Sequence, residues 1–234
     1  MGRRPELIRP VDPFFDQFFR GPFCVVDVET CGAGQSLRLV EMAAVRIEDL
    51  RITGVFETLV DPLVRIDNAF IHGVTDSMAY GAPKFAEALP ALAAFVKDAV
   101  FVAHNARFDI GVLAAEQTRV YGTPPARPQP FVCSVRMARL AMPELGSHRL
   151  SNLVRALEIG NAAPHQGLAD AYATAQVFID LAARLRRRGG VDEKLMRKRI
   201  IGERPIFIDS IPEAPDGVAL KPRNGSMGSE YAVG

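Results

Sequence analysis

The chain has 234 residues, of which 48% are hydrophobic and 24% charged, and its formal net charge is +1. This composition is typical of a globular domain with ample core material, and the small net charge means that any basic surface must be local. Cys24, Cys31 and Cys133 form neither a disulfide framework nor a zinc pattern, which excludes a disulfide-rich secreted scaffold. A cytoplasmic protein without a secretory signal or a membrane span is therefore expected.

The chain begins with a basic, proline-containing lead-in over residues 1–22. It carries one dense aromatic patch, Phe14-Phe15-Asp16-Gln17-Phe18-Phe19. Asp12 is placed to cap a short helix whose first residue is Pro13. Packing of this Phe-rich helix on the domain is the favoured interpretation, and a dimer contact or a partner anchor is the alternative.

The first strand is predicted over residues 23–30, where β-branched valines favour a strand buried on both faces. Asp27 and Glu29 lie near its end and, because a strand alternates faces, point the same way. Two neighbouring carboxylates in a core repel each other and are poorly solvated. Either a hard cation such as Mg²⁺ or Mn²⁺ offsets their charge, or the strand end emerges into solvent.

The rest of the pattern predicts alternating elements. In chain order these are strands over 39–47 and 52–60, a helix over 83–96 with a kink or break at Pro90, a strand over 100–103, a helix over 110–121, a strand over 131–133, and helices over 134–141, 150–157 and 167–188. An antiparallel meander followed by parallel crossovers is typical of an α/β domain whose mixed sheet is flanked by helices.

Two further acids occupy positions where such sheets bind ligands. Asp109 falls in the first turn of a helix just beyond a strand, and Asp170 lies in the first turn of the last long helix. Together with Asp27, Glu29 and the nearby His165, these carboxylates are expected to converge on one edge of the sheet. The set suits two-metal phosphodiester hydrolysis, in which an imidazole takes a proton from the attacking water.

These residues belong to a series of motifs that resembles a known family. The motifs are Asp27-x-Glu29-Thr30, Ile71-His72-Gly73-Val74-Thr75, Ala103-His104-Asn105-Ala106-x-Phe108-Asp109, and His165 followed by Asp170-Ala171. In this order they are similar to the motifs of the DEDDh 3′–5′ exonucleases, above all the proofreading (epsilon) subunits of bacterial replicative DNA polymerase. The resemblance implies a ribonuclease-H-like fold over about residues 23–185.

The resemblance also implies two Mg²⁺ or Mn²⁺ ions and a role for each site residue. Asp27, Glu29 and Asp170 would hold the first metal, Asp27 would bridge to the second, and Asp109 would support the second largely through water. His165 resembles the general base. The positions that would line the 3′-terminal nucleotide are Thr30, Ile71, His72, His104, Asn105 and Phe108.

The expected function is metal-dependent 3′–5′ hydrolysis at the 3′ end of single-stranded DNA, as in proofreading. Two alternatives stay open: trimming of RNA 3′ ends, and a non-catalytic subunit that keeps the fold and binds a partner. On their own, His72 and His104 are more often hydrogen-bonded structural histidines than ligands. The sequence departs from the family at Cys31, where threonine is common, without removing a predicted metal ligand.

The composition changes after the predicted domain over residues 23–188. Residues 189–234 are first basic and then rich in proline and glycine, which predicts a mostly disordered tail. Its apolar island at 206–211 is expected to be either a docked strand or a linear motif for a partner, such as a DNA polymerase or another protein.

Overall fold

The computed structural model describes residues 10–122, 128–160, 164–205 and 218–223. Within these ranges one mixed sheet is formed by β1 (Phe23–Cys31), β2 (Arg38–Glu48), β3 (Arg51–Leu59), β4 (Val100–Ala103), β5 (Pro128–Cys133) and β6 (Ile201–Pro205). The strand order is β3-β2-β1-β4-β5-β6. β1, β2 and β3 form an antiparallel meander, whereas β4 and β5 are parallel to β1, so the predicted mixed sheet is confirmed.

The helices cover both faces of this sheet. They are α1 (Pro13–Phe18), α2 (Ala69–His72), α3 (Asp76–Ala79), α4 (Phe85–Val96), α5 (Asp109–Tyr121), α6 (Ser134–Ala141), α7 (Leu150–Ala156), α8 (Gly167–Arg187) and α9 (Glu193–Arg199). α4 continues through Pro90, where the sequence predicted a kink or break, because the apolar side of the helix, including Leu89 and Leu92, stays buried. No helix among the described residues is long and apolar enough to cross a membrane.

Two apolar layers result from the alternation of the strands. Val25 faces a layer built from α6 and α8, and Val26 faces a layer built from α4 and α5. The α8 layer also buries the N-terminal aromatic patch, since Phe19 stacks against Phe178 with ring centroids 5.6 Å apart. Asp12 accepts a hydrogen bond from the Phe15 amide and caps α1. The patch therefore packs on the domain, as the favoured interpretation held.

The sheet and the core continue past the boundary that the sequence suggested at residue 188. β6 pairs antiparallel with β5, and both Met196 of α9 and Ile200 are fully buried in the α8 layer. The sequence pattern did not predict this continuation, because the buried apolar residues lie among basic ones, Lys194, Arg197, Lys198 and Arg199. The predicted apolar island at 206–211 lies outside the described residues.

A second C-terminal segment, residues 218–223, is called here the C-terminal strap. It lies along the end of β3, where the Leu59 amide donates to the Lys221 carbonyl over 2.8 Å. This part of the predicted tail is thus hydrogen-bonded to the sheet.

Candidate active site

β1 places Asp27 and Glu29 on the face of the sheet covered by α8. Val25 on the same face is buried in the α8 layer, whereas Val26 and Val28 are buried in the opposite layer. Both carboxylates therefore point toward the N-terminal end of α8, as the alternation of the strand predicted.

Asp109 reaches β1 from the start of α5. β4 ends at Ala103 and pairs with β1 only as far as Val25, so beyond that point the β1 backbone has no parallel neighbour among the residues the structure describes. Asp109 fills this position, because its Oδ1 accepts a hydrogen bond from the Val28 amide over 3.3 Å. The buried carboxylate is thereby fixed beside the strand that carries Asp27.

Asp170 and His165 meet at the beginning of α8. The His165 amide donates to Asp170 Oδ2 over 2.9 Å, and the His165 backbone is left-handed, with φ of 62°. α8 comes close to the sheet at Gly167, where a Cβ atom would lie 3.2 Å from Cδ of Glu41. This approach brings Asp170 to the acids of β1, while the His165 side chain is exposed to solvent.

The electrostatics of the site reflect this crowding. Burial raises the pKa of Asp27 well above its ordinary value, and the charges of Asp109, Glu29 and Asp170 add to the increase. Burial and the charge of Asp170 raise the pKa of Glu29 to about 7. Burial raises the pKa of Asp109 to about 7, although the hydrogen bond from the Val28 amide opposes the increase. Ionised together, these carboxylates destabilise one another, and a cation would relieve the repulsion.

The donor set is compatible with hard divalent cations. It consists of carboxylate oxygens, which Mg²⁺ and Mn²⁺ prefer. Among the described residues, no three Asp, Glu, His or Cys side chains already form a compact metal cage. The four predicted ligands, Asp27, Glu29, Asp109 and Asp170, are nevertheless close enough for their charges to raise the pKa of Asp27 and Glu29.

A cleft of about 720 Å³ is lined by two of the predicted nucleotide-lining residues, His104 and Asn105, and by the segment that leads into α7. His104 Nδ1 lies 2.9 Å from Ser134 Oγ, and burial lowers the pKa of its imidazole to about 4. A neutral imidazole at the wall of this cleft can take part in hydrogen bonds without adding charge. Phe108 and Ile71 expose 46% and 49% of their surface, which leaves both side chains free to contact a ligand.

His72 and Thr30 are placed differently from the other predicted lining residues. His72 is only 3% exposed; its Nδ1 accepts from the Val74 amide over 3.1 Å, and its Nε2 lies 3.2 Å from Asn68 Oδ1. The Thr30 carbonyl accepts from Asn68 Nδ2 over 2.8 Å. Both nitrogens of His72 contact the surrounding turn, and because the ring is buried it has no exposed face on which a base could stack.

Sequence reasoning missed a buried ion pair beside the site. Glu41 is opposite Glu29 in the β1–β2 register and is completely buried. Its Oε2 lies 2.7 Å from Nη1 of Arg223 in the C-terminal strap, while its Oε1 has no hydrogen-bond partner among the described residues. Burial raises the pKa of Glu41 to about 8, although Arg223 opposes the increase. A lone acid inside the apolar run 39–45 was the available signal for Glu41; no pattern pointed to Arg223.

Comparison with known proteins identifies the family. Residues 24–178 match the family model described as "Exonuclease". The PolC-type DNA polymerase III of Caldanaerobacter subterraneus subsp. tengcongensis is 28% identical over 208 residues, which cover 88% of this chain and 15% of the polymerase. This chain thus corresponds to a small part of that relative.

Solved structures agree with this assignment. Exonuclease X in complex with 5′-overhanging duplex DNA is 27% identical, with a TM-score of 0.57 over 73% of this chain and 95% of that one. The nuclease domain of 3′hExo, a DEDDh family member bound to rAMP, is 17% identical, with a TM-score of 0.60 over 76% of this chain and 96% of that one. The latter likeness concerns the fold, which is ribonuclease-H-like as expected. The chain belongs to the exonuclease family.

Proposed function

We propose that this chain is a metal-dependent 3′–5′ exonuclease that hydrolyses the terminal phosphodiester bond at the 3′ end of single-stranded DNA. What supports the proposal is that the charges of Glu29, Asp109 and Asp170 act on the buried Asp27 in a chain of the exonuclease family. The likeness to a PolC-type DNA polymerase supports DNA as the substrate and a role beside a polymerase. Within residues 189–234, which were predicted to contact a partner, α9, β6 and the C-terminal strap pack on the domain itself. We therefore expect a partner to contact other residues of this segment.

The proposed roles follow the positions of the side chains. Asp27, Glu29, Asp109 and Asp170 would hold two Mg²⁺ or Mn²⁺ ions, which supply charge neutralisation at the scissile phosphate. His165 is exposed and lines a cleft of about 440 Å³ together with Asp170, where it can take the proton of an attacking water. Attack on phosphorus breaks the bond to the 3′ oxygen, which gains a proton, and a nucleoside 5′-monophosphate leaves.

The decisive assay compares matched 5′-labelled single-stranded DNA and RNA, each with Mn²⁺ and with excess chelator. The expected result is a descending ladder from the 3′ end of DNA that requires the metal and shows weak sequence preference, since phosphate contacts carry no sequence information. A circular single strand, which has no 3′ end, should resist. Faster degradation of RNA would establish the RNA-trimming alternative, and hydrolysis in chelator would refute the metal-dependent mechanism.

His165 distinguishes catalysis from binding. His165→Ala should slow hydrolysis by about 10²–10⁴-fold, the usual contribution of a general base. It should leave Mn²⁺-dependent thermal stabilisation and single-strand binding unchanged, because His165 is not a proposed metal ligand. A near-normal rate in this variant would place the base elsewhere, and a wild-type chain that binds DNA and metal without turnover would favour the non-catalytic alternative.

A further inference from the structure

The backbone of the C-terminal strap is tied to β3 at successive residues. The Leu59 amide donates to the Lys221 carbonyl over 2.8 Å, and the Lys221 amide donates to Thr58 Oγ1 over 3.1 Å. The Arg223 amide then donates to Glu57 Oε2 over 3.3 Å. These bonds direct the Arg223 side chain toward the interior, beneath the carboxylate site.

The guanidinium of Arg223 is buried and contacts both a carboxylate and a backbone carbonyl. The side chain is 6% exposed, and Nη1 lies 2.7 Å from Oε2 of the fully buried Glu41. Nη2 donates to the carbonyl oxygen of His72. A Cβ atom on Gly73 would lie 2.9 Å from Nη2, so the residue after His72 must be small for the guanidinium to fit.

Arg223 thereby joins two parts of the site. Its planar fork can bind the Glu41 carboxylate of β2 and the His72 carbonyl of α2 at once, which a lysine ammonium on a single stem does less well. The same turn is attached to β1 through Asn68, which contacts both His72 and the Thr30 carbonyl.

The α2 turn, which Arg223 and Asn68 hold to β2 and β1, presents apolar side chains to solvent. Phe70 is 86% exposed and Ile71 is 49% exposed, although both belong to a turn whose last residue is buried. Such side chains suit the faces of unpaired bases, which bind aromatic and apolar groups without sequence preference. The position of this turn relative to the carboxylates therefore decides where a terminal nucleotide can lie.

We propose that Arg223 is a positioning residue that locks the α2 turn onto β2 and so holds the surface that receives the 3′-terminal nucleotide. This inference rests on the proposed function. The simpler alternative is that Arg223 only neutralises the buried charge of Glu41. The two explanations predict different results for a variant in which both Arg223 and Glu41 are replaced by glutamine. In that variant the buried charge of Glu41 is gone, but the bond from residue 223 to the His72 carbonyl is still missing.

The test compares Arg223→Gln, the double variant Arg223→Gln/Glu41→Gln, and Arg223→Lys with the wild type. The control is Arg38→Gln, which breaks another partly buried ion pair, that of Arg38 with Glu116 at 3.1 Å. The measurements are KM and kcat on a single-stranded dT oligomer with Mn²⁺, the Kd of the same oligomer in chelator, and the thermal midpoint.

Arg223→Gln should lower the thermal midpoint and raise KM and Kd by about tenfold, as expected when a hydrogen bond from a charged group is lost, while kcat changes little. The double variant should recover the midpoint but keep the high KM and Kd. Arg223→Lys should give intermediate values. The control should lower the midpoint without altering KM.

Recovery of KM and Kd together with the midpoint in the double variant would overturn the inference and leave only charge neutralisation. Tighter substrate binding by Arg223→Gln would also overturn it, because the strap would then obstruct the site. If the wild type hydrolyses nothing, the proposed function fails, while the Kd values in chelator still decide whether Arg223 positions the nucleic-acid surface.

Discussion

Asp27 lies at the centre of the acidic residues of the site. Its pKa is raised first by burial and then by the charges of four neighbouring carboxylates, those of Asp109, Glu29, Asp170 and Glu41. A buried charge without a counter-charge destabilises the fold, so the metal-free chain carries an energetic penalty at the position that matters most for the proposed chemistry. Stability and activity are therefore expected to respond in opposite directions to changes at Asp27.

Asp27→Ala should abolish turnover and weaken the stabilisation by Mn²⁺, because this residue is the proposed ligand of both ions. In chelator the thermal midpoint should rise by about 2–4 °C, which corresponds to roughly 1 kcal/mol for a domain of this size. Thermal unfolding with and without Mn²⁺ measures both effects. Glu48→Ala, at the distant end of β2, is the control and should change neither. An unchanged Mn²⁺ shift in Asp27→Ala would remove Asp27 from the metal site.

The stability of the metal-free chain should decrease as pH rises from about 4.5 to about 7. The folded-state pKa of Glu29 is about 7 instead of 4.5, and that of Asp109 is about 7 instead of 3.8. The folded chain thus binds more protons than the unfolded chain in this window, and the free energy of unfolding falls with pH. Urea unfolding at several pH values in chelator tests this. Glu29→Gln should flatten the profile; a rise in stability between pH 5 and 7 would contradict the assignment.

Strand alternation and the places where helices begin predict that Asp27, Glu29, Asp109 and Asp170 lie near one another, and the influence of the other three charges on the pKa of Asp27 agrees with this. The sequence was not sufficient to predict the contact between Glu41 and Arg223. Glu41 stands inside a buried strand, and the residue that compensates its charge is 182 positions away in the chain. No periodicity or local spacing carries information about such a contact, which depends on how the strap returns to β3.

At the scale of elements, the strongly apolar strands and helices were predictable within a few residues, as β4 and α6 show. The sequence pattern did not predict α9 and β6, which lie beyond the expected domain boundary at residue 188. α9 has the sequence Glu-Lys-Leu-Met-Arg-Lys-Arg, and among its residues Met196 alone is fully buried. A helix that buries only one apolar side chain has no recognisable amphipathic pattern, although that side chain, Met196, packs in the α8 layer of the core.

Met196→Ala should destabilise the fold by roughly 2–5 kcal/mol, the usual cost of truncating a buried methionine. Leu195→Ala on the same helix, where the leucine is 36% exposed, should cost less than about 1 kcal/mol. The shift of the urea midpoint measures both. Removal of residues 190–234 should for the same reason abolish cooperative unfolding. A truncated chain that unfolds cooperatively and hydrolyses short oligonucleotides would restore the boundary at residue 188.

At the scale of the whole molecule, the net charge is only +1, but basic side chains are concentrated around two clefts. The cleft beside His104 contains Arg139 and Arg149, and the cleft beside His165 contains Arg149 and Arg155. Arg149 therefore lies between the two clefts, at the N-terminal end of α7. A strand whose 3′ end reaches the carboxylates would pass these side chains, which suit phosphate contacts.

Binding of single-stranded DNA should consequently weaken with salt, and Arg149→Gln should make that dependence shallower. Each phosphate contact with a single strand contributes about −0.7 to the slope of log K against log salt concentration, so the loss of Arg149 should reduce the slope by about 0.7. Fluorescence anisotropy in chelator across a salt series measures this without turnover. The control is Arg197→Gln on α9, whose partner Glu193 lies 2.8 Å away and which lines neither cleft. Equal slopes for the wild type and Arg149→Gln would place the strand on another face of the domain, whereas a reduced slope in Arg149→Gln alone would locate its path between the two clefts.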